Sequence, residues 1–341
     1  MHLAITEAKK SIGLTSPNPP VGAVLVKEGK LLGKGWHTRA GQPHAEREAI
    51  ADALKTYPAT FLSGATIYVT LEPCCSHGRT PPCTDAIIQA GITRVVYGAR
   101  DPNPKHAGRA DDLLMRSGIQ VESGICDKEC GAIIRAFSKV QQTGLPWVIL
   151  KSAMSLDGRT TRPPGESQWL SSEQSRQWVQ NLRHQCDAIL TGGNTLRADN
   201  PALTIRTAEG PTKEQPWRMV VTRGSERDLP TGAQVFTDEH AARTLVQENG
   251  DIKGALLKLK EKGCNTVLVE AGGRLMGALL SEGLADEVAI FYTPLLTGGP
   301  DAGFSGLPSR FELHEQKFTR IGDDILLRAL ISMRSTDAAR R

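Results

Sequence analysis

Three soft metal ligands, His44, Cys74 and Cys83, stand far apart in this chain, and they can act together only in a fold that closes them onto one point. His44 opens His44-Ala45-Glu46, Cys74 ends Glu72-Pro73-Cys74, and Cys83 ends Pro81-Pro82-Cys83. A catalytic tetrahedral zinc takes three protein ligands and keeps its fourth position for water. Glu46 is not needed as a ligand. A carboxylate beside such a site can collect a proton from the activated water and return it to a leaving group.

The order His-x-Glu, then Pro-Cys, then a second cysteine is the pattern of zinc-dependent nucleobase deaminases. Here eight residues rather than two separate the cysteines, so the segment between them must loop out. Pro82 followed by Ala86, Ile87, Ile88 and Gly91 predicts a helix starting near Cys83, where unpaired N–H groups favour a thiolate. On a regular helix His44 and Glu46 would point roughly 200° apart. They converge only if the helix end faces the site. Alone, His44 reads as a surface histidine and Cys83 as a small buried hydrophobe; in this order and company they point to deamination.

At 341 residues the chain suits two domains. A net charge of +4 and an aromatic fraction of 5% give no support to a basic, aromatic-lined groove for nucleic acid. No apolar run has the length of a membrane span and the N-terminus lacks a signal-peptide core, so a cytoplasmic protein with reduced thiols is expected. Cys126, Cys130, Cys186 and Cys264 are read as structural.

The first half alternates strands and helices: an amphipathic helix over 1–12, a hairpin from Val21 to Gly33, the His44 helix, and strand Thr66 to Leu71. Then come helix Cys83 to Ala90, strand Arg94 to Ala99, helix Asp111 to Ser117, a short strand over 119–121 and helix Asp127 to Lys139. Pro17-Asn18-Pro19 precedes the hairpin, and Asn18 offers both a donor and an acceptor. Thr143-Gly144-Leu145-Pro146 is the candidate boundary, giving domains over 1–143 and 146–334 and a polar tail over 335–341 expected to be disordered.

In the second half, strand Ala188 to Thr191 runs into Gly192-Gly193-Asn194-Thr195, and strand Thr266 to Glu270 into Ala271-Gly272-Gly273-Arg274. Such turns let backbone N–H groups approach phosphate closely. Two of them point to a ligand with several phosphates, such as a dinucleotide, although the Gly-x-Gly-x-x-Gly fingerprint is absent. Arg176, Arg183 and Arg206 are candidates for a substrate phosphate. The residues alone leave equally open that Arg176 and Arg183 form a solvated helix face.

These stretches, with Gly78-Arg79-Thr80-Pro81-Pro82-Cys83, Asp101-Pro102-Asn103-Pro104, Lys151, Ser155-Leu156-Asp157-Gly158, Gly165-Glu166-Ser167-Gln168-Trp169 and Asp199-Asn200-Pro201-Ala202-Leu203-Thr204, resemble the bifunctional riboflavin-biosynthesis deaminase–reductase family over nearly the whole chain. The resemblance implies a cytidine-deaminase-like three-layer αβα domain followed by a dihydrofolate-reductase-like α/β domain. It implies hydrolytic deamination of a diaminopyrimidinone phosphoribosyl compound, then NADPH-dependent reduction of its ribosyl group to ribityl. By position, His44, Cys74 and Cys83 look like ligands of one Zn2+ and Glu46 like the proton carrier. Ala153, Trp169, Thr195, Asp199 and the segment Gly272, Gly273, Arg274, Leu275, Met276, Gly277 and Ala278 look like NADPH contacts. Ser167, Arg183, Leu203, Arg206 and Glu270 look like substrate contacts. The implied partner is a small phosphoribosyl pyrimidine, with no nucleic acid and no membrane; family analogy also allows a homo-oligomer.

The chain departs from the family pattern in three places. Cys75-Ser76 replaces the usual Ser-His, Arg223 replaces the family's polar residue after the strand Arg218 to Thr222, and Ala110 replaces a glycine. Rival readings are a deaminase whose second domain only binds, a deaminase of nucleic-acid bases, and a non-catalytic zinc scaffold. The last leaves Glu46 unexplained.

Overall fold

The computed structural model describes residues 1–76, 81–104, 106–161, 169–206, 213–298 and 311–333. Ser167, the Gly78-Arg79-Thr80 string and the 335–341 tail lie outside them. The chain divides into two compact units, Met1–Gly144 and Leu145–Arg341.

The first unit holds α1 (His2–Lys9), β1 (Gly22–Lys27), β2 (Lys30–Trp36), α2 (Ala45–Leu54), α3 (Ala59–Leu62), β3 (Thr66–Leu71), α4 (Cys83–Gln89), β4 (Arg94–Ala99), α5 (Arg109–Arg116), β5 (Gln120–Glu122) and α6 (Asp127–Thr143). Its sheet runs β2-β1-β3-β4-β5, with β1 antiparallel to both neighbours and β3, β4 and β5 parallel. Side chains alternate across a strand, so Gly22 and Ala23 face opposite sides, and Ala23 pairs with Gly35. A Cβ on Gly22 would strike Ala4 and Ala8 of α1, whereas one on Gly35 would lie 2.5 Å from the Ala49 nitrogen of α2. The two helices therefore cover opposite faces, and α6 packs beside α1 while α4 packs beside α2. This is the three-layer sandwich. The missing side chains of Gly33 and Gly35 let α2, which opens at His44, lie directly on the sheet.

The second unit holds β6 (Trp147–Ser155), α7 (Glu173–Gln185), β7 (Ala188–Gly192), α8 (Gly193–Asp199), β8 (Trp217–Val221), α9 (Gln234–Thr237), β9 (Thr244–Gln247), α10 (Ile252–Glu261), β10 (Thr266–Val269), α11 (Gly273–Ser281), β11 (Glu287–Thr293), β12 (Phe311–Ile321) and β13 (Asp324–Met333). The sheet order is β12-β13-β11-β6-β10-β7-β8-β9, parallel from β11 to β9 and closed by the antiparallel β12–β13 hairpin. Its central strands are apolar on both faces, as parallel strands covered by helices must be. Val148, Leu150, Leu190, Met219 and Val267 face α10 and α11 through Leu256, Leu259 and Leu279. Ile149 and Leu268 face Val179 and Leu182 of α7, and Ile189 and Val220 face Leu196 of α8. No helix among the described residues is long and apolar enough to cross a membrane.

Candidate active sites

In the first unit the three ligand residues meet. His44 Nδ1 lies 3.4 Å from Cys74 Sγ and 3.3 Å from Cys83 Sγ, and the three ligand atoms fall within 4.8 Å of one another. An imidazole nitrogen with two sulfurs, converging without oxygen donors, is a donor set that suits zinc. Two helix starts make the convergence. His44 is the N-cap of α2, with φ −75° and ψ 166°, so it stands outside the helix. The 200° divergence expected of two helical positions therefore does not arise: the extended His44 and the helical Glu46 turn toward the same point. Cys83 is the first residue of α4, and its N–H and that of Thr84 both donate to the Cys74 carbonyl. Arg47 of α2 donates to the Pro82 carbonyl at 2.9 Å, tying the two helix starts together.

The electrostatics follow from this crowding. The hydrogen bond from Cys83 is the main cause bringing the Cys74 thiol down to about 4, against burial and with help from His44. Cys83 is pushed up by that same bond and by burial; a bound cation would take the proton from both. Glu46 is almost fully buried, and burial pushes its carboxyl above the usual range.

A cavity of about 370 Å³ opens over these groups, walled by Asn18, His37, Glu46, Cys74, Ser76 and Asp101 among others. His37 belongs to none of the sequence motifs, yet it lines the cavity. Its Nδ1 is 3.0 Å from the Pro43 carbonyl and its Nε2 3.1 Å from Asn18 Nδ2. A carbonyl only accepts, so Nδ1 carries the proton and Nε2 accepts from the Asn18 amide. Asn18 is thereby turned with its own carbonyl oxygen available to a ligand. Burial holds His37 below the usual histidine range and so neutral. Glu72 also has a different task from that of its motif partner Cys74. Its carboxylate accepts N–H bonds from Asp101, Gly108 and Ala110, stapling the loop that carries Asp101 to the end of β3. Ala110 lies within α5, so the glycine usual there is not needed for a positive φ. Ser76, in the place of the usual histidine, lies 3.5 Å from His106 Nδ1.

In the second unit both Gly-Gly turns open helices at the C-terminal ends of adjacent parallel strands, β7 and β10, and Gly272 N–H donates to Thr195 Oγ1 across them. A cavity of about 310 Å³ lies over these ends, bordered by Gly192, Gly193, Thr195, Gly272, Gly273 and Arg274, with Leu275 and Ala278 further along α11. A Cβ on Gly272 would meet nothing within 4 Å, so the turn has open space for a ligand. Met276 and Gly277 are buried on the inner side of α11. Ala153 sits on β6 beside Phe291 of β11, Trp169 is 52% exposed with Arg176 over its ring, and Asp199 ends α8.

The substrate candidates form a second group. Arg183 Nε and Nη2 bond the two oxygens of Glu270 at 2.6 and 2.9 Å, and Nη1 bonds the Thr204 carbonyl. Arg183 is thus no solvated helix residue; Arg176, which donates to the Ser171 carbonyl, is only partly buried. Burial pushes the Glu270 carboxyl up, but Arg183, with Lys151 and Arg206 adding to it, holds it below the usual range on balance. Burial lowers Lys151, in the field of the same pair. Leu203 has φ 53° and packs its side chain into the core with Leu196 and Leu229, so it presents backbone to a ligand. Arg206, held through its own N–H by Gln180, keeps an exposed guanidinium.

Residues 1–99 match the model of the cytidine and deoxycytidylate deaminase zinc-binding region, and residues 146–327 that of the RibD C-terminal domain. The chain is 37% identical to the riboflavin biosynthesis protein RibD of Aquifex aeolicus, over 96% of each chain, and 38% identical to that of Escherichia coli, over 96% of this chain and 97% of the other. It belongs to the RibD family. The structure of Acinetobacter baumannii RibD superposes with a TM-score of 0.87 at 37% identity, covering 97% of this chain and 98% of that one. A Thermotoga maritima structure described as a diaminohydroxyphosphoribosylaminopyrimidine deaminase/5-amino-6-(5-phosphoribosylamino)uracil reductase gives 0.86 at 35%, covering 97% of each. The chain is therefore a bifunctional enzyme of riboflavin biosynthesis, a zinc deaminase joined to an NADPH-dependent reductase.

Proposed function

We propose that the first unit deaminates 2,5-diamino-6-(5-phosphoribosylamino)pyrimidin-4(3H)-one and that the second reduces the ribosyl group of the product to ribityl with NADPH. The observation that carries the first step is the meeting of His44, Cys74 and Cys83 beside the buried Glu46. Those three residues would hold zinc, which would supply the Lewis acidity that makes water nucleophilic near neutral pH. Glu46 takes the proton from that water as it attacks the amine-bearing ring carbon, and returns it to the departing ammonia. Asn18, turned by His37, accepts a hydrogen bond from the ring edge, which orients the carbon toward the attack.

In the second unit the Gly192-Gly193 and Gly272-Gly273 turns would hold the dinucleotide, which would supply a hydride. That hydride would reduce the anomeric carbon, and the ring oxygen released from that carbon would need a proton. Lys151, whose ammonium burial holds below the usual lysine range beside Arg183 and Glu270, is the group assigned to give it. Arg183 fixes Glu270 rather than spending its charge on the substrate, and Arg206 receives the 5′-phosphate through paired N–H donors.

The test is one assay of the purified protein with the diaminopyrimidinone substrate, with and without NADPH, following ammonia and nicotinamide absorbance together. Ammonia in both tubes and NADPH consumption in the second is the expected result; ammonia without any NADPH loss would remove reduction. Arg206→Ala is expected to raise the reductase KM for the phosphorylated substrate by roughly 10–100-fold, the worth of a charged hydrogen bond, and to leave that for its dephosphorylated form within twofold. Equal effects on both would take Arg206 off the phosphate.

A further inference from the structure

We propose that Arg223 is the residue that makes the reductase select a 2′-phosphorylated dinucleotide, by receiving that phosphate at the end of β8. The inference rests on the reading that the cavity over β10, β7 and β8 is the dinucleotide site. Strand order sets the direction in which a dinucleotide must lie there. The Arg183–Glu270 pair and Lys151 belong to the β6 and β10 side of the sheet, so the nicotinamide, which must meet the substrate, lies at that side. The Gly-Gly turns stand at the ends of β10 and β7, and the pyrophosphate belongs between them. The adenosine half then extends over the next strand, β8. From β6 to β8 is three strand spacings, about 14 Å.

Arg223 borders the cavity at that far end, two residues beyond the last of β8. It is exposed, and it makes no ion pair or side-chain hydrogen bond among the described residues. Its backbone is nonetheless held. Thr222 N–H donates to the Gln247 carbonyl, and Gly250 and Asn249 donate to the carbonyls of Thr222 and Gly224. Two neighbouring acids are turned to backbone, Asp228 accepting from Ser225 N–H and Glu248 from Glu226 N–H, and Glu282 of the cavity lining follows the end of α11, away from β8 in the chain. A guanidinium on a fixed backbone, unpaired and at the ribose end of a dinucleotide cavity, fits a phosphate dianion through two donors. Thr222 and Arg223 also leave the end of β8 without the carboxylate that would favour a free 2′-hydroxyl.

The cavity holds a second arginine without a side-chain partner among the described residues, Arg274, and the two can be told apart. Arg274 is the second residue of α11, on the β10 side, beside the expected pyrophosphate. Every dinucleotide carries that group, so Arg274 cannot distinguish one cofactor from the other. Arg197, which also lines the cavity, is already bonded to Asn194 and to the Asp228 carbonyl.

The experiment is calorimetric titration of the zinc-loaded two-domain protein with NADP+ and with NAD+, for the wild type, Arg223→Ala and Arg274→Ala, with melting temperatures as a check on folding. Arg223→Ala is expected to weaken NADP+ by about 10–100-fold, the range of a charge-assisted hydrogen bond, and to leave NAD+ within twofold. Arg274→Ala is expected to weaken both by similar factors. Unchanged NADP+ binding in Arg223→Ala, while Arg274→Ala still weakens both, would overturn the inference and leave the cavity as the cofactor site. Equal weakening of both cofactors by Arg223→Ala would overturn it as well. Binding of both cofactors unaffected by either substitution would overturn the placement of the dinucleotide itself.

Discussion

Glu46→Gln is expected to retain one zinc per chain and to lose deamination by a factor of roughly 10²–10⁴, the usual worth of a positioned general acid–base. The substitution keeps the shape of the side chain and removes only its capacity to take and return a proton. None of the three ligand residues is altered, and a neutral amide in a buried position costs less than the carboxylate it replaces. Metal content by elemental analysis and ammonia release by coupled assay should therefore separate cleanly. Reduction of the deaminated substrate should run at the wild-type rate, since that chemistry belongs to the other unit. Cys83→Ala provides the contrast, losing metal and deamination together. Turnover of Glu46→Gln within tenfold of wild type would sink the role given to Glu46, and loss of zinc in that variant would make it a ligand.

The deaminase site was legible in the sequence because its chemistry sits in short strings. His44-Ala45-Glu46, Glu72-Pro73-Cys74 and Pro81-Pro82-Cys83 name the ligands, and Pro82 marks the start of α4. The way the site is held was not legible. That His44 is an N-cap depends on where α2 begins, and helix starts are set by tertiary contacts as much as by local preference. Glu72 stands in the same string as Cys74, but its carboxylate accepts from three backbone N–H groups that come from residues 101–110. No spacing in the sequence encodes that closure. The same holds for His37, whose value lies in two partners, Pro43 and Asn18, on different sides of it in the chain. In the second unit the Gly-Gly turns could be read directly, whereas Arg183 could not. A helical arginine is solvated or buried according to what lies across from it, and Glu270 is 87 residues away. The β12–β13 hairpin carried no readable pattern either. Its outer strand keeps Phe318 66% exposed among charged neighbours, so the alternation that marks a half-buried strand is blurred.

Arg183→Met is expected to destabilise the reductase unit by about 3–5 kcal/mol, the cost of leaving one member of a buried ion pair alone. The side chains of Arg183 and Glu270 are 8% and 14% exposed, so solvent does little to screen the loss. For a unit of this size the melting temperature should fall by roughly 6–20 °C, at 2–4 °C per kcal/mol. Most of that penalty is the stranded carboxylate, so Arg183→Met combined with Glu270→Leu should recover much of it. The pH dependence gives an independent sign. With Arg183 present, Glu270 has its folded pKa below that of the unfolded chain, and the pair's stabilisation is present above the unfolded carboxylate pKa and lost as the pH falls through the folded value. Without Arg183, burial dominates and the folded pKa rises above the unfolded one, so acid relieves the variant by protonating Glu270. The stability gap between wild type and Arg183→Met should therefore narrow between pH 7 and about pH 4. Thermal melts of both proteins across that range measure it. A constant gap would mean that the loss is one of packing, and that Arg183 does not act by holding the charge of Glu270 in place.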